Sequence, residues 1–399
     1  MKIDFSSERK LYWIVNFVLY NILRPTALFR NKKLWVFGAQ TGMKYDDNSM
    51  YLFEYVNQTD SNIRTVWLTR TDEVVSIVRK KGYEAYNVNS LKGKKISLKA
   101  GVAFYTNGLD DFGCFPFIGG ARIVSLWHGV GFKKIYNETY EGIWLKLKQA
   151  LDMLFSWTTR NISIATSDYS KQKTIRQFHL KEKDVQITGQ PRNDVFKIKE
   201  ISKKDVLSGV TIPEDKKILL YMPTYRWTTS QEHEIVSSII QDLASNDVFN
   251  TLLRKKNLLF VAKLHFKTKI DEIKLNDNFI ILRDENVISN QELLAVSDVL
   301  LTDYSSCFID FALLCRPILF YTPDIEDYVR KTGGIENEFF TISHNRANNI
   351  KELCNFISDI DEPYILEQAK IVNDSFEDKS IAESCYCANV YKLVLDRLK

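Results

Sequence analysis

Short polar motifs at the ends of apolar runs carry the chemistry this chain could perform. The run Ala121–Leu126 reads as a strand and ends in Trp127-His128-Gly129-Val130-Gly131-Phe132-Lys133-Lys134. Imidazole takes a hydroxyl proton near neutral pH, and flanking glycines let a ligand approach the backbone. An isolated histidine is more often a core residue bonded to backbone, but His128 follows a strand, where doubly wound sheets bind ligands. The run Val185–Thr188 ends in Gly189-Gln190-Pro191-Arg192-Asn193-Asp194. An arginine fork near a helix start suits phosphate; the competing reading is a surface pair between Arg192 and Asp194.

The second half offers three more such motifs. Lys217–Met222 ends in Pro223-Thr224-Tyr225-Arg226-Trp227. Leu258–Leu264 carries Lys263 and ends at His265; residues two apart on a strand share a face, and a cationic pair neutralises charge on a departing phosphate. Val299–Thr302 runs into Asp303-Tyr304-Ser305-Ser306. The serines either cap the next helix or offer hydroxyls and amides to an anion. Asp310 lies four residues after Ser306, on the same helix face, where it either accepts hydrogen bonds from polyol or ribose hydroxyls or is simply solvated. No metal cluster is visible: His179, His233 and His344 stand alone, and Asp324-Ile325-Glu326-Asp327 reads equally as a solvated helix start. The two best-known phosphate loops, G-x-x-x-x-G-K-[ST] and a strand-linked G-x-G-x-x-G, are absent.

Positioning these motifs requires alternating strands and helices. Strands are expected at Leu34–Phe37, Arg64–Leu68, Val102–Thr106, Ala121–Leu126, Ile162–Ala165 and Val185–Thr188, with helices such as Thr71–Lys81 and Ser167–Phe178 between them. The pattern pauses over Phe196–Lys216. It restarts with strands at Lys217–Met222, Leu258–Leu264, Phe279–Leu282, Val299–Thr302 and Pro317–Tyr321, and helices at Gln291–Val296 and Ser305–Leu314. This is the rhythm of parallel sheets covered on both faces. With 399 residues, two cores are expected: an α/β chain of two doubly wound domains, 34–205 and 206–380, facing a cleft. A segment 1–33 precedes them and a last helix, 381–399, closes the chain.

Net charge is only +4, but seven basic residues against two acidic ones fall within positions 1–33. A nucleic-acid binder would spread its basic charge over a groove or face, so nucleic acid is not the expected partner. The same segment holds the apolar run Leu11–Leu23, broken by Asn16 and Asn21. It is too short to span a bilayer and has no small-residue cleavage site. It suits a helix lying in the membrane interface or one packed on the enzyme's own core. Helical spacing of Ile143, Trp144, Leu147 and Leu151 allows lipid contact or ordinary core packing. The six cysteines include no C-x-x-C pair and read as reduced thiols of a cytoplasmic protein.

Taken in order, Phe37–Tyr55, Trp127-His-Gly-x-x-x-Lys133-Lys134, Gly189-x-Pro-Arg-Asn-Asp194, Pro223-Thr-x-Arg226, Lys263-x-His265 and Thr302-Asp-Tyr-Ser-Ser306, continuing through Asp310 and Arg316-Pro-x-x-Phe320, resemble the CDP-glycerol glycerophosphotransferase family. These are the teichoic acid primases and polymerases and related capsule polymerases. The resemblance spans roughly residues 34–330. It implies a metal-independent GT-B fold without cofactor and catalytic roles for His128 and His265. Donor contacts are implied from Trp127, Gly129, Val130, Gly131, Arg192, Pro223, Thr224, Arg226, Lys263, Leu264, Ser305, Ser306 and Asp310. It further implies a CDP-glycerol or CDP-polyol donor, a lipid-linked acceptor, and peripheral attachment to the cytoplasmic face of the cell membrane. The chain differs from the common family pattern at Val130-Gly131, Gln190 and Phe266. A nucleotide-sugar glycosyltransferase and a non-catalytic, membrane-bound nucleotide-binding partner are the rival readings.

Overall fold

The computed structural model describes residues 15, 18–113, 115–135, 142–155, 161–198, 201–210, 212–213, 215–224, 232–264, 268, 275–282, 288–332 and 334–399. The chain forms two compact units. Unit 1 comprises residues up to Val130, Ile135–Asp194 and Glu377–Lys399; unit 2 comprises Gly131–Lys134 and Val195–Phe376. The chain thus enters unit 2 at 195, ahead of the linker expected near 205, and its last segment returns to unit 1.

Unit 1 is built on seven parallel strands: β1 (Asn31–Phe37), β2 (Arg64–Thr69), β3 (Ala85–Asn87), β4 (Ala100–Tyr105), β5 (Arg122–Ser125), β6 (Ile162–Ala165) and β7 (Val185–Ile187). Their order is β3-β2-β1-β4-β5-β6-β7. Both faces are buried, which explains the near-continuous apolar runs. Leu34 and Val36 of β1 pack with Val66, Leu68 and Ala103 on one face; Trp35 and Phe37 pack with Trp67, Val102 and Phe104 on the other. The final helix, Tyr386–Leu398, lays Cys387, Val390 and Val394 into that second layer, the spacing of one helical stripe.

Unit 2 repeats the plan with β8 (Lys217–Met222), β9 (Leu258–Lys263), β10 (Phe279–Leu282), β11 (Val299–Thr302), β12 (Ile318–Tyr321) and β13 (Arg346–Ala347). All pair in parallel in the order β10-β9-β8-β11-β12-β13. Phe132, from the short inserted segment, is buried here with its ring 5.3 Å from Phe308 and stacked 5.5 Å from Phe339. Among the described residues no helix is long and apolar enough to cross a membrane; of the expected N-terminal helix over Leu11–Leu23, residues 11–14 and 16–17 lie outside them.

In each sheet the strand order reverses beside the first strand. The loops after β1 and β4, and after β8 and β11, therefore flank a topological switch point, the place where such sheets take ligands.

Candidate functional site

In unit 1, His128 follows β5 and stands half-buried. Its Nδ1 lies 3.0 Å from the carbonyl oxygen of Thr106, in the loop after β4. A carbonyl can only accept, so Nδ1 carries the proton and the lone pair of the neutral ring falls on Nε2. The preceding residue, Trp127, adopts φ +53°, a costly conformation for a bulky side chain. Buried Asn48 holds it there: its Nδ2 donates to the carbonyls of Leu126 (3.1 Å) and Trp127 (2.9 Å) and to Gln190 Oε1 (3.2 Å). Trp127 also packs on the His128 ring at 4.2 Å and edge-on to Phe178 at 4.9 Å.

Arg192 is buried, not open to solvent. Its Nη1 donates to Asp47 Oδ1 and to the His128 carbonyl, both at 3.0 Å, and its backbone N–H reaches Asn48 Oδ1. Its carboxylate partner is thus Asp47 at the start of helix Asp47–Thr59, not the neighbouring Asp194. Asp194 instead caps the last helix, accepting from the N–H groups of Tyr386 and Cys387 at 2.8 and 2.7 Å. Gly189 adopts φ +75°, and a Cβ there would sit 2.2 Å from the Tyr386 ring. The Gly-Gln-Pro-Arg-Asn-Asp motif therefore holds the last helix through its two ends, Gly189 and Asp194, and the His128 loop through Gln190 and Arg192 between them. Gly129 and Val130 continue that loop, and Gly131 opens the segment counted in unit 2.

In unit 2, three neighbouring strands end together at the carboxyl edge. Pro223 and Thr224 follow β8, Lys263 and Leu264 end β9, and Ser305 and Ser306 follow β11; all six are half-buried. The carboxylate of Asp303, itself 1% exposed, accepts the Thr224 N–H at 2.8 Å and ties two of these loops. Ser306 occupies the N-cap of helix Cys307–Ala312 without a side-chain capping bond. Asp310 is only 2% exposed and accepts Gln291 Nε2 at 3.3 Å, so it is not a solvated surface carboxylate. Arg226 and His265 lie outside the described residues. Among the described residues, no three His, Cys, Asp or Glu side chains gather as a metal cluster.

Asp47, Thr106 and Asp111 were not singled out by sequence, although Asp47 falls inside the Phe37–Tyr55 segment and Asp111 follows a strand. Asp111 is fully buried. Burial pushes its carboxyl up to about 6, against the lowering effect of three backbone hydrogen bonds.

Comparison with known proteins agrees with this architecture. The chain belongs to the CDP-glycerol:poly(glycerophosphate) glycerophosphotransferase family, whose profile matches residues 20–387. It is 28% identical to a teichoic acid poly(glycerol phosphate) polymerase of Bacillus spizizenii, over 78% of this chain and 79% of that one. It is 27% identical to a teichoic acid glycerol-phosphate transferase of Staphylococcus aureus, over 82% and 83% respectively. A solved structure of the wall teichoic acid polymerase TagF shares the fold, with a TM-score of 0.71 and 20% identity over 98% of both chains. The protein is thus a transferase of GT-B-like α/β architecture.

Proposed function

We propose that this chain transfers glycerol phosphate, or a closely related polyol phosphate, from a CDP-linked donor to a hydroxyl of a lipid-linked acceptor, releasing CMP. The acceptor oxygen bonds to the phosphorus that bears the polyol, the bond from that phosphorus to the CMP oxygen breaks, and the hydroxyl proton passes to His128 Nε2. The observation that carries this role is the 3.0 Å contact from His128 Nδ1 to the Thr106 carbonyl, because it leaves the basic lone pair on the other nitrogen.

Donor contacts are assigned to Trp127, Gly129, Val130 and Gly131 after β5, and to Pro223, Thr224, Arg226, Lys263, Leu264, Ser305 and Ser306 in unit 2. His265 and Lys263 are assigned to the leaving phosphate. Most of the rate in such transfers comes from positioning and charge stabilisation. Arg192, already paired with Asp47, is assigned to holding the His128 backbone, and Asp310 to supporting the serine turn through Gln291.

The acceptor and the membrane face enter through exposed apolar side chains of unit 1. Leu28 and Phe29 are 88% and 89% exposed, and Ile143 and Trp144 of helix Gly142–Phe155 are 76% and 67% exposed. Such a helix, with Lys146 beside its apolar face, suits the interface of an anionic bilayer.

The test is CMP release from CDP-glycerol and CDP-ribitol with a lipid-linked acceptor. Wild type should release CMP from one of them, and His128→Ala should lose about 10²–10⁴-fold in rate. Binding of both donors without CMP release from either would overturn the assignment.

A further inference from the structure

The loop that orients His128 is itself held by a carboxylate the proposed chemistry does not use. Asp111 accepts the Thr41 N–H at 2.6 Å through Oδ1. Through Oδ2 it accepts the N–H groups of Thr106 at 2.8 Å and Asn107 at 3.1 Å, with the Thr106 hydroxyl at 3.4 Å. It therefore ties the loop after β1 to the loop after β4, across the switch point of unit 1. The first of these loops is strained: Gln40 and Thr41 adopt φ +50° and +57°, which costs about 1–2 kcal/mol per residue. The next links also close on His128. Gln40 donates its N–H to Thr106 Oγ1 and its Nε2 to Asp47 Oδ2, and Asp47 holds the Arg192 that donates to the His128 carbonyl.

We infer that Asp111 is a positioning residue for the transfer reaction: by fixing the Thr106 peptide, it selects the His128 tautomer whose Nε2 accepts the proton. This rests on the assignment of His128 as the base. Full burial keeps Asp111 from touching substrate, so its effect passes through Thr106. Unit 2 has a counterpart, in which Asp303 accepts the Thr224 N–H and ties the loops after β8 and β11. The same device thus recurs at both switch points, where loops that meet ligands must be held still.

Asp111→Asn tests the inference. An amide presents one oxygen and one NH2, so in either orientation at least one backbone N–H faces another donor. The expected result is a fall in kcat of about 10–100-fold, the scale of a remote misplacement, with KM for CDP-glycerol within about 2-fold of wild type. Histidine-selective 15N NMR, with His128 assigned from its deletion, should show one Nδ1–H tautomer in wild type and a mixture in Asp111→Asn. Gly38→Ala is the second variant, because its Cβ would press the Asp111 carbonyl at 2.9 Å and the Asp111 Cβ at 3.1 Å, displacing the carboxylate without changing its charge; it should give the same signature if Asp111→Asn does not fold. An unchanged kcat in a folded variant, or a lower kcat with the His128 tautomer unmoved, would overturn the inference. Turnover surviving in His128→Ala would sink the base assignment and this inference together. Turnover lost in His128→Ala but intact in Asp111→Asn would sink only the inference.

Discussion

Arg192 Nη1 sits 3.0 Å from both Asp47 Oδ1 and the carbonyl oxygen of His128, so one buried cation joins the start of a helix to the backbone of the proposed base. The pair is nearly dry, with 10% and 5% of the two side chains exposed. Removing one partner of a buried pair leaves a stranded charge and costs about 3–5 kcal/mol. Asp47→Asn, which tolerates the φ of +63° at this position, should lower stability to urea by that amount. Adding Arg192→Met should restore much of the stability, because the stranded charge is gone, yet turnover should stay low because the His128 carbonyl has lost its donor. Recovery of both in the double variant would show that the pair serves folding alone.

A pH dependence follows from Asp111. Its carboxyl is pushed up to about 6 from 3.8, chiefly by burial and further by the charge of Asp47. The folded state therefore holds this proton more tightly than the unfolded chain. Its contribution to stability is fully present below about pH 4, is lost as pH rises through about 6, and is constant above that. Other carboxylates titrate too, so the useful quantity is a difference. Asp111→Asn should gain on wild type by about 2 kcal/mol between pH 4.5 and 7.5 in urea unfolding. A difference independent of pH would show that the carboxylate is not perturbed in this way.

Much of this arrangement is legible in the sequence, and the remainder is hidden for identifiable reasons. Strands such as β8 and β11 stand where their apolar runs put them, since a parallel strand buried on both faces cannot be polar. β3 and β13 were missed because they are only three and two residues long and lie at sheet edges, where pairing with a neighbour rather than composition makes the strand. His128 could be found by its place after a strand. Asp111 obeys the same rule, but its partners are backbone N–H groups, which no side-chain pattern reveals. For Arg192 the sequence offers a phosphate or, as the competing reading, the nearby Asp194; its partner Asp47 lies 145 residues away, beyond any local pattern, and Asp194 caps the last helix.

That helix gives a stability prediction of its own. Gly189→Ala would place a methyl 2.2 Å from the Tyr386 ring at a φ of +75°. Overpacking costs about 1–3 kcal/mol and the left-handed backbone about 1–2 more. Asp194→Ala removes the acceptor of two helix N–H groups and should cost about 0.5–2 kcal/mol. Both should also increase hydrogen exchange over Tyr386–Leu398, with Gly189→Ala the worse. Equal protection of that helix in all three proteins would show that the motif does not clamp it.

The exposed apolar face of helix Gly142–Phe155 bears on where the enzyme works. Ile143, Trp144 and Leu147 are 76%, 67% and 49% exposed, far more apolar surface than a helix facing water alone requires. Burying a large apolar side chain contributes about 1.5–3 kcal/mol, so seating two of them in a bilayer would contribute at least about a hundredfold in partitioning, at about 1.4 kcal/mol per tenfold. Ile143→Glu with Trp144→Glu should therefore weaken binding to vesicles containing anionic lipid by about that factor. CMP release with a water-soluble acceptor analogue should not change, since such an acceptor does not reach the enzyme through the bilayer and neither residue is assigned to the donor. If vesicle binding is unaffected, this helix does not meet the bilayer, and Leu28 and Phe29 become the surface to substitute next.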